Sequence, residues 1–134
     1  MADQKAIAYY RCENPSEISI ELQRKRVQEY CTAMKYDLFV EITADNPCTE
    51  QEAEAICTVI RQEMRIPEPL ILIVLNLHRL NHDIHTVHRV VDIFGRHDIS
   101  VESTNKADHE ILALTDQDEY ALFQALAGTG ISAQ

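Results

Sequence analysis

An open, mostly parallel α/β sheet with helices on both faces is the fold class this chain predicts. Three observations carry that expectation. Short apolar runs alternate with amphipathic helical patterns, the order that builds parallel sheets with crossover helices. The run LILIVLNL over 70–77 is almost wholly apolar, as a strand covered on both faces must be. Capping-box patterns stand where helices should begin.

KAIAYYR, 5–11, reads as a buried strand ending in an arginine. ENPSE follows, with Asn14 as N-cap, Pro15 at the first helical position and Glu17 completing a capping box. That helix is expected to run to Met34 with Ile18, Leu22, Val27, Tyr30, Cys31 and Met34 facing inward. YDLFVEIT, 36–43, is a second strand and ADNPC a loop. Thr49 and Glu52 open a second helix, whose Ala53, Ile56, Cys57, Ile60 and Met64 fall on one face. After the break at IPEP comes the central strand 70–77. A third helix is capped by Asn81 or His82, lined inside by Ile84, Val87, Val91 and Phe94, and ended at Gly95. Residues 98–104 form a further strand, NKADHEILALT a loop and short strand, and a last helix runs from a cap at Thr115 to Gly128.

The chain has 134 residues, 46% hydrophobic and 25% charged, which predicts one globular domain over 1–134. No helix-turn-helix or other C-terminal DNA-binding domain is recognisable. No apolar stretch approaches the ~18 residues of a membrane span, and the N-terminus does not read as a secretory signal. A cytoplasmic protein with no membrane partner is expected. The net charge of −10 argues against broad DNA binding, which needs clustered Lys and Arg. Cys12, Cys31, Cys48 and Cys57 form no C-x-x-C pair and read as reduced structural thiols.

In such a sheet, function sits at the carboxyl ends of the strands. Residues 11–16, 44–48, 76–83 and 103–107 should therefore share one rim. No dinucleotide fingerprint, P-loop or nucleophile elbow occurs there. His78, His82, His85 and His88 are close in sequence. On a helix, His82, His85 and His88 fan over ~120° of the polar arc and do not converge. No metal site and no cofactor are expected.

The rim resembles the start of the serine recombinase catalytic domain, the resolvase/invertase family. The pattern strand–Y-x-R-V-S–turn–L-x-x-Q-R is matched by Tyr9-Tyr10-Arg11-Cys12-Glu13 and Glu21-Leu22-Gln23-Arg24. The apolar strand followed by L-D-R-L-x-R is matched by LILIVLNL and Leu77-His78-Arg79-Leu80-Asn81-His82. An Asp after the second strand is matched by Asp45. Order and spacing agree over about 5–127, which implies a resolvase-like sheet with flavodoxin-like layering.

The resemblance implies a serine nucleophile that attacks a DNA phosphodiester, with arginines neutralising the phosphate. Here the nucleophile position holds Glu13, the family Asp is His78, and a later Arg is His82. Arg11 and Arg79 survive, while CTEQEAEAI stands where another arginine would open the second helix. A carboxylate at Glu13 would repel a phosphate by ~1 kcal/mol in water and more when partly buried. Arg11, Glu13, Gln23, Asp45, His78, Arg79 and His82 thus read as a vestigial site. Ser16 and Ser19 lie beyond the strand tip, and Cys12 should point away from it. Arg11 could simply pair with Glu13, and Arg79 with Asp45 or Asp83.

The expectation is a serine-recombinase-like domain related to site-specific recombination, catalytically inactive, acting by dimerisation or by association with a related recombinase or DNA. Two other readings stay open: an active fragment with an altered nucleophile, and an anion- or nucleotide-binding regulatory module.

Overall fold

Four parallel strands form one sheet in a computed structural model that describes residues 3–12 and 18–112. They are β1 (Gln4–Arg11), β2 (Tyr36–Ala44), β3 (Leu70–Val74) and β4 (Ile99–Ser103), in the order β2-β1-β3-β4. Helices α1 (Ile20–Met34), α2 (Glu50–Thr58), α3 (Ile84–Arg96) and α4 (His109–Leu112) connect or follow them. Because all described strands are parallel, their carboxyl ends share one rim, as the alternation predicts.

The sheet is buried on both faces. Ala6, Ala8, Tyr10 and Ile73 pack with Val27 and Cys31 of α1 on one side. Ile7, Tyr9, Leu72 and Val74 pack with Ala53 and Cys57 of α2 and Val87, Val90 and Phe94 of α3 on the other. Consecutive β1 side chains point to opposite faces. That is why β1 reads as an unbroken apolar run.

Several boundaries and faces differ from expectation. α1 starts at Ile20 and not at Pro15: Ser19 is extended (φ −62°, ψ 155°), and its hydroxyl accepts from the Leu22 amide at 3.2 Å. Its inner residues are Gln23, Val27 and Cys31, with Tyr30 half-buried, while Ile18, Leu22 and Met34 are exposed. A polar contact at Gln23, described below, turns the helix to this phase. α2 begins at the expected cap, where the Thr49 hydroxyl accepts from the Glu52 amide at 3.1 Å. It then widens into a π turn, Val59–Glu63, closed by the Met64 amide on the Val59 carbonyl at 2.8 Å. The wider turn moves Met64 off the inner face to the surface.

β3 ends at Val74, three residues early, because the chain bends into a 3-10 turn at Leu77–Arg79. Leu75, Leu77 and Leu80 remain buried there, so the apolar pattern outlasts the strand. α3 is capped by Asp83 instead of Asn81 or His82, and it passes Gly95 to end at Arg96. Asp98, not Gly95, adopts the left-handed conformation (φ 61°) after it. Ile93 and Val90 join Val87 and Phe94 inside, while Ile84 is exposed and Val91 half-buried. The expected short strand after β4 is helical where described: a 3-10 turn at Lys106–Asp108 leads into α4. The helix expected over 115–128 lies outside the described residues.

Two further features shape the edges. The register between β1 and the edge strand β2 shifts between Ala6 and Ile7, so Phe39 is an extra residue on β2, a β-bulge. Glu102 of β4 accepts hydrogen bonds from Tyr30 of α1 (2.7 Å) and Tyr36 of β2 (2.9 and 3.0 Å). Burial first, then the hydrogen bond to Glu102, pushes the Tyr36 phenol up to about 12.

Candidate functional site

The expected rim exists, and its centre is Arg11 at the tip of β1. Arg11 is 0% exposed. A buried cation needs acceptors. The 3-10 turn after β3 brings them: Arg11 Nε donates to the Arg79 carbonyl at 3.0 Å, and Nη2 donates to the His78 carbonyl. Arg79, itself buried, returns the bond by donating from Nη1 to the Arg11 carbonyl at 2.9 Å. Each guanidinium thus holds the other residue's backbone.

Gln23 completes the clasp from α1. Its Nε2 donates to the carbonyls of Arg11 and Ile18, both at 2.8 Å, and its Oε1 accepts from the Arg11 amide at 3.1 Å. A buried amide side chain is costly unless satisfied, and this one makes three bonds. That explains why the helix turns Gln23 inward and leaves Leu22 in solvent.

His82 stands above the clasp. Its Nε2 lies 3.3 Å from Arg11 Nη2, so that ring nitrogen is the acceptor. The His78 ring lies 5.9 Å from it, and both rings are exposed. His85 is exposed and His88 half-buried on α3. Among the described residues, no group of three or more His, Cys, Asp or Glu is placed to hold a metal ion.

Of the remaining expected site residues, Asp45 is exposed just past β2 and Glu13 lies outside the described residues. Neither Asp45 nor Asp83 forms an ion pair with Arg79 among the described residues. Asp83 uses its carboxylate on the α3 cap, accepting from the Thr86 amide at 3.2 Å and hydroxyl at 2.7 Å. Ser19 likewise serves as a cap, and Ser16 is not described. Cys12 is half-buried, with its amide on the Ala44 carbonyl at 3.3 Å. Burial pushes the thiol of Cys48 up to about 12 and those of Cys31 and Cys57 up to about 11. None of those three is a ready nucleophile at neutral pH.

Sequence reasoning missed Asp108 and Ser103. Asp108 Oδ2 accepts from the Leu77 amide at 2.9 Å and from the Ser103 hydroxyl at 2.7 Å. It anchors the turn that presents the two carbonyls to Arg11. The signal in the sequence was Asn105, whose Oδ1 accepts from the Ala107 amide at 3.1 Å and starts the turn that places Asp108.

No protein-family model matches the chain, and no curated protein does. Solved structures do. The N-terminal catalytic domain of TP901-1 integrase is similar at 19% identity and TM-score 0.61, covering 95% of each chain. A resolvase family site-specific recombinase from Streptococcus pneumoniae is similar at 14% identity and TM-score 0.60, over 96% of this chain and 95% of that one. The C-terminal catalytic domain of ISC1926 TnpA, an IS607-like serine recombinase, is similar at 15% identity and TM-score 0.58, over 93% and 84%. The chain has the fold of serine recombinase catalytic domains.

Proposed function

We propose that this chain is a serine-recombinase-like domain, related to site-specific recombination, that does not cut DNA and acts by association. Its associates are a second copy, a related recombinase, or DNA held within such an assembly. One observation carries the reading. Arg11 is fully buried, and its Nε and Nη2 donate to the carbonyls of Arg79 and His78. Transition-state stabilisation of phosphoryl transfer needs cations aimed at the phosphate oxygens. Turning Arg11 toward a phosphate would strand two carbonyls, each at ~1–3 kcal/mol. Glu13 at the nucleophile position adds a carboxylate where a hydroxyl is required.

The test is incubation with supercoiled plasmid DNA, read for nicks on gels and for phospho-linked nucleotide by mass spectrometry. No adduct is expected. Glu13→Ser alone is also expected to stay inactive, because His78, His82 and the absent second-helix arginine remain wrong. A covalent adduct on the wild-type chain would overturn the inactive reading.

A further inference from the structure

Away from the rim, the α2 side of the sheet carries a hollow of about 240 Å³ beside the edge strand. Val40 and Ile42 of β2 form one wall, and Ile56, Val59 and Met64 form the other. Val59 is 42% exposed and Met64 44%. The π turn causes this, since its wider loop lifts Met64 to the lip of the hollow. Exposed apolar side chains gathered around a concavity mark a place where something packs.

Charge selects among the possible occupants. Glu52 lies one turn before Ile56, and Glu63 beside Met64; both are exposed, and neither forms an ion pair among the described residues. Arg61, on the same turn, directs its guanidinium to the carbonyls of Ile66, Glu68, His97 and Asp98. Arg65 is the one exposed base in this stretch. A second copy would bring the same acidic helix and its own net charge of −10. The chain's own residues 113–134 hold Asp116, Asp118 and Glu119 with no Lys or Arg, so their net charge is 0 − 3 = −3. Both are like-charged to the rim of the hollow.

We infer that the hollow is a docking site for an amphipathic helix of another protein, apolar on one face and flanked by Lys or Arg. Apolar side chains at helical spacing fill the space between β2 and the π turn. The flanking bases meet Glu52 and Glu63. This inference deepens the association reading and rests on it for its biological sense. It gives that reading a surface and a partner chemistry.

The experiment uses the whole chain and a labelled amphipathic peptide of about 18 residues, long enough to be helical on binding. The peptide has Leu on one face and Lys beside it. A charge-reversed version carries Glu in place of Lys, and a third peptide is residues 113–134. Fluorescence anisotropy should show the basic peptide binding at least about tenfold more tightly than either acidic one, with the preference shrinking as salt rises. Val59→Asp, and separately Met64→Ser, should each weaken it several-fold, and Glu63→Lys should remove the preference for the basic peptide. Leu22→Asp on the opposite face of the sheet should leave binding unchanged. Circular dichroism confirms that each variant folds. Equal binding of all three peptides would overturn the inference. So would tighter binding of residues 113–134, or dimerisation in sedimentation that Val59→Asp abolishes. Nicking by the wild-type chain would sink only the inactive reading. Failure of the peptide preference would sink only this surface.

Discussion

Two arginines at opposite ends of the sheet do similar bonding for different ends. Arg11, at the carboxyl rim, is wholly buried and binds the carbonyls of Arg79 and His78. Arg61, at the other end, is half-buried and binds four carbonyls at the end of α3 and in the loop before β3. Arg61 meets the His97 carbonyl that the end of α3 leaves over and complements the helix dipole there, and it ties that end to the loop before β3. Arg11 meets carbonyls of a turn built to face it, with Arg79 returning the bond and Gln23 gripping the same peptide. The far end is one long side chain tying a helix end to a loop. The rim is a mutual lock between two stretches of backbone.

That contrast can be broken by substitution. Arg11→Met should cost the most, about 3–5 kcal/mol, because it strands the carbonyls of Arg79 and His78, while the Arg79 guanidinium keeps its bond to the backbone carbonyl of residue 11. Urea unfolding followed by circular dichroism measures it. Arg11→Lys should recover only part, since one ammonium cannot span both carbonyls. Arg61→Ala should cost less, about 2–3 kcal/mol, because water can reach some of the released carbonyls. If the two losses came out equal, the rim would be no more locked than a helix end.

The smallest effect is electrostatic. The Thr86 hydroxyl, then the backbone amides of the first turn, hold the Asp83 carboxyl below its usual range. A depressed carboxyl stabilises the fold fully above its unfolded value of ~3.9, and that contribution is lost as pH falls through the lower folded value. The first turn of α3 should therefore loosen only in acid, seen as lower protection of its amides against exchange, relative to the intrinsic rate, below about pH 4. Asp83→Asn keeps a capping oxygen and should flatten that pH dependence.

Much of the fold was legible in the sequence because parallel strands buried on both faces must be apolar throughout. Ile7 to Tyr10 and Leu70 to Val74 could not be read otherwise. Boundaries were less legible where burial and strand pairing part company. Leu75, Leu77 and Leu80 stay in the core after β3 has ended, so apolarity alone overran it. Helix phase failed where a polar residue belongs inside. Gln23 is buried for its three hydrogen bonds, and no hydrophobic periodicity can announce that. The expected site was half legible. Arg11, Gln23, His78, Arg79 and His82 do come together, with Arg11 and Arg79 on backbone carbonyls, while Glu13, the acid expected beside Arg11, lies outside the described residues. A carbonyl leaves no mark in the sequence. Asp45 was placed by resemblance alone and is exposed just past β2.

The Glu102 bridge has a consequence for how the molecule opens. β2 and β4 are the outermost strands and never touch as strands, yet one carboxylate on β4 binds a phenol of β2 and a phenol of α1. Peeling either edge exposes the acceptor that steadies the other. The two margins should thus behave as one cooperative unit, fraying together or not at all, although β1 and β3 lie between them.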